Sequence, residues 1–245
     1  MSTLQQTILG NKNNNLSVFF TAGFPTLKST KEILDVLNET DVDFIEIGIP
    51  FSDPLADGPV IQNSSTIALH NGMTLELLCT QLKEIKAKIK KPYLLMGYLN
   101  SLLAIGLEEF YRKCNEGGVH HIIIPDLPVN EYLAEHKPFA DTFDVSPVFL
   151  ITPDTSAKRI LEIDKISNAF IYLVSGNTTT GNDSQMQTEA QHSGMATGHL
   201  TAISKIIATI LHSYPADLHI NQPECILNMS WSLIRPKHLN SMHNT

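Results

Sequence analysis

Short apolar segments that alternate with amphipathic helical patterns most restrict how this chain can fold. Nearly every residue in these segments is apolar, which is typical of parallel strands covered by helices on both faces of a sheet. Turn-forming or helical residues separate one segment from the next. The six segments are Leu16–Thr21, Phe44–Ile49, Pro92–Tyr98, His120–Asp126, Val145–Ile151 and Ala169–Ser175.

This repeat predicts an α/β protein, and more narrowly a (β/α)8 barrel rather than an open, doubly wound sheet. No glycine-rich fingerprint follows the first segment, which also argues against a dinucleotide-binding fold. The chain has 245 residues and no linker-like stretch, so we expect one barrel domain over residues 1–245. Two helical patterns, Pro59–His70 and Thr74–Lys88, fill the wider gap between the second and third strands.

The second strand carries an acidic residue on one of its two faces. Side chains alternate along a strand, so Glu46 shares a face with Phe44 and Gly48, opposite a face of isoleucines. Asp57 follows in a loop of turn-forming residues at the carboxyl end of this strand. A single strand glutamate is usually a surface residue, and an Asp-Gly pair is usually a turn. One acid on a strand and one on the following loop is, however, the layout of a barrel active site.

Several motifs together resemble the tryptophan synthase alpha chain family. The strongest is Glu-Ile-Gly-Ile-Pro-Phe-Ser-Asp-Pro-Leu-Ala-Asp-Gly-Pro, within Glu46–Asn63. The resemblance extends over about residues 17–181. The other matching positions are Phe19–Gly23, Tyr98, Asn100, Pro125–Pro128, Tyr172–Ser175 and Thr179–Gly181.

The resemblance implies a lyase that cleaves indole-3-glycerol phosphate to indole and glyceraldehyde 3-phosphate without a cofactor of its own. It implies that Glu46 is the acid/base and that Asp57 binds the indole N–H. The other residues that it assigns to the substrate site are Phe19, Tyr98, Tyr172, Thr180 and Gly181. It also implies an α2β2 complex with a beta chain that carries pyridoxal phosphate.

The last quarter of the chain, residues 182–245, departs from the family pattern. The glycine-containing turns that bind the substrate phosphate after strands seven and eight have no counterpart there. We therefore expect the last two β/α units to be atypical. A helix is predicted at His199–Tyr214, and strands are predicted at Asp217–Gln222 and Cys225–Ile234. Six histidines lie in this region, but their spacing does not match a metal site: His192, His199, His212, His219, His238 and His243.

Charge, cysteine content and the amino terminus limit the possible partners and location. The net charge of −8 argues against nucleic acid as a partner. The chain contains three widely spaced cysteines, Cys79, Cys114 and Cys225, which indicates a reduced protein with neither a disulfide framework nor a zinc motif. No apolar signal segment or long apolar run is present, so we expect a cytoplasmic protein that binds neither membrane nor metal.

Two functions remain open at this level. One is the lyase itself, working as the alpha half of a complex. The other is a catalytically impaired alpha-like chain that only binds a beta chain. The two differ in whether the atypical last quarter builds a phosphate site. A third possibility, another phosphate-binding barrel enzyme, fits the long motif less well.

Overall fold

Strands and helices alternate in the computed structural model, which describes residues 3–10, 15–152, 154–174 and 231–234. The strands are β1 (Ser17–Thr21), β2 (Phe44–Gly48), β3 (Tyr93–Met96), β4 (His121–Ile123), β5 (Ser146–Pro147), β6 (Phe149–Ile151), β7 (Ile171–Val174) and β8 (Trp231–Ile234). The helices are α1 (Thr3–Gly10), α2 (Ser29–Asn38), α3 (Pro59–His70), α4 (Leu75–Ile85), α5 (Leu99–Leu103), α6 (Leu107–Glu116), α7 (Val129–Glu131), α8 (Lys137–Phe143) and α9 (Ala157–Ile166). A π-helical segment, Tyr132–His136, joins α7 to α8. Strands are therefore confirmed at all six positions predicted before residue 176, with the fifth predicted strand divided into β5 and β6.

The strands form two sheets. The first has the order β1-β2-β3-β4-β5 and is parallel throughout. The second has the order β6-β7-β8, in which β6 and β7 are parallel. β8 runs antiparallel to β7, unlike the strands of a regular (β/α)8 barrel. β8 is the described part of the strand predicted at Cys225–Ile234. The helix predicted at 199–214 and the strand predicted at 217–222 lie outside the described residues.

The fifth predicted strand, Val145–Ile151, is divided into β5 and β6. Pro147 lies at the division and has no N–H group for the backbone ladder. Val148, between the two pieces, still donates its N–H to the carbonyl oxygen of Ile122 on β4 at 2.7 Å. The prediction of one continuous strand was therefore wrong, although the chain keeps its place beside β4.

The two faces of β2 belong to two separate hydrophobic clusters. Ile45, Ile47 and Ile49 lie in the larger cluster, together with residues of the surrounding helices. Phe44 lies in the smaller cluster, which contains inward-facing residues of the strands together with Leu4 and Ile8 of α1. Because Phe44 is the first residue of β2, α1 covers the amino-terminal end of the enclosed interior. The predicted alternation of faces is confirmed.

Candidate active site

Glu46 lies in the middle of β2 and faces the enclosed interior, where only 2% of its surface is exposed. Its neighbours in register are Phe19 on β1 and Leu94 on β3. From the opposite side of the interior, the Tyr172 hydroxyl on β7 donates a hydrogen bond to Glu46 Oε1. Ser17 on β1 is a second hydrogen-bonding partner of the carboxyl group. The side chain is therefore held by uncharged hydroxyls in a largely apolar space.

Burial raises the pKa of Glu46 above its ordinary value of 4.5, and the hydrogen bonds from Ser17 and Tyr172 act in the opposite direction. Burial outweighs them because an ionised carboxylate loses its hydration in the interior. The pKa of Tyr172 is also raised, first by burial and then by the neighbouring Glu46. Glu46 therefore keeps its proton to a higher pH than an exposed glutamate does, which suits a group that gives and takes protons.

A pocket opens at the carboxyl ends of the strands, directly beyond Glu46. Phe19, the register partner of Glu46, lines it, and so does Gly48, the next residue on the same face of β2. A Cβ atom at Gly48 would lie 2.5 Å from Phe19 Cζ, so glycine is required for the aromatic ring to lie against the strand. The remaining lining residues are Thr21, Ile49, Phe51, Pro54, Asp57, Ile61, Ser65, Met96, Gly97, Tyr98 and Pro125.

Asp57 lines this pocket from the loop after β2, and Tyr98 holds it there. The Tyr98 hydroxyl donates a hydrogen bond to Asp57 Oδ2 at 2.9 Å. The same hydroxyl oxygen accepts the N–H of Ala56 at 3.2 Å. The Tyr98 ring stacks on Phe51, with ring centroids 5.2 Å apart. One tyrosine therefore fixes the loop backbone and the carboxylate together.

Burial also raises the pKa of Asp57, while the hydrogen bond from Tyr98 lowers it. From the sequence we expect the apolar strand face to raise the pKa of Glu46 and the wetter loop to keep Asp57 ionised, so that the two environments push the pKa values apart. Both pKa values are raised, and for the same principal reason. The acids differ in their surroundings: Glu46 is fully enclosed, whereas Asp57 is partly exposed at the pocket.

The structure brings together five of the seven predicted site residues: Glu46, Asp57, Phe19, Tyr98 and Tyr172. Thr180 and Gly181 lie outside the described residues, as do the six histidines of the last quarter. Sequence reasoning missed Ser17, which contacts Glu46, and Phe51, which supports Tyr98. The alternation of faces was a usable signal for Ser17, because a polar residue two positions before Phe19 must also face inward.

Among the described residues, no three His, Cys, Asp or Glu side chains are grouped in a way that would hold a metal ion. No helix in this part of the chain has both the length and the apolar character needed to cross a bilayer.

Comparison with known proteins decides the family. The sequence profile of the family described as tryptophan synthase alpha chain matches residues 5–202. The chain belongs to the tryptophan synthase alpha chain family. The matched span is wider than the 17–181 resemblance found from motifs, and it extends into the atypical last quarter.

Individual tryptophan synthase alpha chains support this assignment. The chain is 52% identical to the one from Flavobacterium johnsoniae over 169 residues, which covers 69% of this chain and 67% of the relative. It is 48% identical to the one from Bacteroides fragilis over 181 residues, covering 74% and 69%. A crystal structure of the alpha chain from Legionella pneumophila has a TM-score of 0.67 at 29% identity, covering 78% of this chain and 74% of that one.

A crystal structure of the tryptophan synthase complex from Pyrococcus furiosus also matches, with a TM-score of 0.62 at 38% identity, covering 67% of this chain and 68% of that one. The predicted α/β barrel class is confirmed by these tryptophan synthase alpha structures. The chain is thus a lyase-type enzyme of tryptophan biosynthesis, and the comparisons do not favour an impaired, binding-only chain.

Proposed function

We propose that Glu46 is the acid/base of indole-3-glycerol phosphate cleavage in this chain and that Asp57 binds the indole N–H. One observation carries the proposal. Glu46 is a buried carboxyl with a raised pKa directly beneath a pocket that a second carboxyl, Asp57, lines beside Tyr98. Phe19 and Gly48 lie between Glu46 and the pocket. Both line the pocket, Phe19 is the register partner of Glu46, and Gly48 is the next residue on the same face of β2.

The reaction requires two proton transfers, one to indole C3 and one from the adjacent glycerol hydroxyl. Protonation of indole C3 makes the ring a leaving group and places positive charge on the ring nitrogen, where the Asp57 carboxylate stabilises it. Removal of the proton from the adjacent glycerol hydroxyl then breaks the bond to C3. The electron pair of that bond returns to the ring, and the products are indole and glyceraldehyde 3-phosphate. Glu46 gives the first proton and takes the second, so it ends in its starting state.

Other residues bind and orient the substrate in this proposal. Phe19 offers an aromatic wall to the indole, Tyr98 orients Asp57, and Tyr172 orients Glu46. For Thr180 and Gly181 the support is the family resemblance alone: Thr180 would bind Asp57 when the site closes, and Gly181 would contribute to the phosphate site. The chain needs no cofactor of its own for these steps, because acid–base groups supply every proton transfer.

A beta chain is the proposed partner, in an α2β2 assembly, and it would carry pyridoxal phosphate. The Pyrococcus furiosus relative is described as a tryptophan synthase complex. Large apolar side chains are exposed on the segments that follow β2, β3 and β4: Leu55 is 84% exposed, Leu103 45% and Leu133 42%. These segments lie at the same end of the parallel strands as the pocket, so a partner there would cover both the leucines and the site entrance.

We place the protein in the cytoplasm, since Cys79 and Cys114 are buried free thiols.

Product analysis tests this function. The purified chain is incubated with indole-3-glycerol phosphate, with and without a tryptophan synthase beta chain, and both products are quantified. We expect equal amounts of indole and glyceraldehyde 3-phosphate, a rate unchanged by prior dialysis against a chelator, and faster release with the beta chain. A folded chain that binds the beta chain but releases no indole would contradict the proposal and indicate a binding-only role.

A further inference from the structure

Ser17 opens β1 on the inward-facing side of the strand. It lies opposite Phe44 in the register of β1 and β2, two residues before the Phe19–Glu46 pair. Its hydroxyl lies within hydrogen-bonding reach of both Glu46 and Tyr172. Three strands, β1, β2 and β7, therefore each contribute one polar group to the same point of the interior.

The described side chains that pack around Glu46 are apolar or carry hydroxyl groups. β3 contributes Leu94 beside Glu46, and Phe170, immediately before β7, lies in the same cluster as Tyr172. α1 contributes Leu4 and Ile8 to the same cluster. Among the described residues, the titratable side chains on this inward face include Tyr172, which bonds Glu46, and the buried His121 of β4, whose pKa burial lowers to about 4. Ser17 itself is half-buried, whereas Glu46 is only 2% exposed. The Glu46 carboxyl therefore depends on its few hydrogen-bond partners, because water does not replace a lost one there.

We propose that Ser17 is a positioning residue, whose hydroxyl holds the Glu46 carboxyl in place, together with Tyr172, in both protonation states. The inference rests on the proposed role of Glu46 as acid/base and adds the group that keeps this acid in place. A hydroxyl can donate one hydrogen bond and accept others, whereas an ionised carboxylate only accepts. The Ser17 and Tyr172 hydroxyls therefore donate when Glu46 is ionised, and one of them accepts when Glu46 carries a proton. Rotation of hydroxyl hydrogens is enough for the change, so the heavy atoms stay in place during proton transfer.

Removing the Ser17 hydroxyl tests this role through Glu46 itself. The S17A variant loses a donor that favours the ionised carboxylate, so the pKa of Glu46 should rise by about one pH unit. The titration is followed by NMR on protein with ¹³C-labelled glutamate side chains, with the Glu46 signal assigned by its loss in E46Q. S17T keeps the hydroxyl and should titrate close to the wild type. S29A is the matched control, because Ser29 is a fully buried serine in α2 whose hydroxyl bonds Thr26 rather than the site.

Kinetics supply the second readout. In S17A the limb of the pH–rate profile that reports Glu46 should move by the same amount as the titration, with kcat reduced about tenfold. The KM should change little, because Ser17 does not line the pocket. S29A should leave both the profile and kcat unchanged.

An unaltered Glu46 titration in folded S17A would overturn the inference, and so would an S17T protein that titrates like S17A. If S17A does not fold, S17C carries the test, because cysteine is close in size but a weak donor; S17C should then shift the titration upward while S17T does not. A titration that shifts in S17A while the pH–rate profile stays fixed would support the role of Ser17 and contradict the role of Glu46 in catalysis. The two proposals therefore fail in different ways.

Discussion

The two carboxyls of the site are placed by different kinds of structure. Glu46 is part of a β-strand, and hydroxyls from β1 and β7 contact it inside the barrel. Asp57 is part of a loop, and Tyr98, two residues after β3, holds both its carboxylate and the neighbouring backbone. Burial raises the pKa of each acid, so their division of labour does not come from opposite shifts.

What separates the two acids is their access to water and to substrate. Glu46 is enclosed below the pocket and has neutral partners, which suits a group that must hold a proton and then release it. Asp57 is partly exposed and lines the pocket, which suits a group that binds a polar edge of the substrate. The comparison predicts that changes at Glu46 affect the chemical step, whereas changes around Asp57 affect binding and charge stabilisation.

The largest effect is expected for E46Q. Glutamine keeps the shape of the side chain but cannot transfer a proton, so kcat for indole release should fall by about 10²–10⁴-fold. The measurement is steady-state indole release at saturating substrate. E84Q is the control, because Glu84 is an exposed glutamate on α4 and its replacement should leave kcat unchanged. Full activity in E46Q would remove Glu46 from the mechanism.

A smaller loss is expected for D57N. The amide still offers an oxygen to the indole N–H but no longer carries the charge that balances the protonated ring, so kcat/KM should fall about 10- to 100-fold. D35N, an exposed aspartate of α2, provides the comparison and should behave as the wild type. A D57N enzyme with unchanged kcat/KM would show that the loop acid has no part in charge stabilisation.

The raised pKa of Glu46 predicts a characteristic pH dependence of stability. Between the ordinary value of 4.5 and the higher folded-state value, the folded protein binds a proton that the unfolded chain has released. The free energy of unfolding therefore falls as pH rises through this window, by up to about 1.4 kcal/mol per pH unit from this group. Glutamine does not titrate, so the free energy of unfolding of E46Q should lack this contribution to its pH dependence.

Urea unfolding of wild type and E46Q at several pH values checks this prediction. The two should have similar stability at the acid end of the window, and E46Q should become the more stable protein as pH rises. His121, whose pKa burial lowers to about 4, destabilises both proteins equally as pH falls from 6.5 towards that value. A stability difference that is independent of pH would contradict the raised pKa.

The smallest effect is expected for Y98F. The substitution removes the Tyr98 hydroxyl, which bonds both Ala56 and Asp57, and leaves the ring stacked on Phe51. The KM should therefore rise about three- to tenfold, with kcat little changed. Y93F is the matched control. The Tyr93 hydroxyl donates to the Gly117 carbonyl at 2.5 Å on the side of the sheet away from the pocket, so Y93F should cost stability and leave KM unchanged. A fall in kcat alone for Y98F would place Tyr98 in the chemical step instead.

Local patterns predicted a large part of this arrangement. Alternation along β2 placed Phe44 and Glu46 inside and the isoleucines outside, because side-chain direction has a period of two residues. The strand–helix repeat predicted the parallel sheet, because apolar strands of this kind need helices on both sides. The long motif from Glu46 to Asn63 pointed to the family and to Asp57.

Long-range contacts could not be predicted in the same way. Glu46 and Tyr172 are 126 positions apart in sequence, and only closure of the strands around one interior brings them together. The role of Ser17 depends on the same closure. The burial of Asp57 also depends on a contact between distant positions, because Tyr98, which bonds its carboxylate, lies 41 positions further along the chain. The division of the fifth strand follows from Pro147, whose missing N–H was not taken into account.

The most direct test of the account compares two curves for one protein. The first is the pH dependence of kcat/KM for indole release, which reports the ionisation of free enzyme groups. The second is the NMR titration of ¹³C-labelled Glu46 in the substrate-free chain. One limb of the rate profile should have the same midpoint as Glu46, above 4.5, and E46Q should abolish this limb. A Glu46 midpoint at the ordinary carboxyl value, or a rate profile without a limb at that midpoint, would contradict the account.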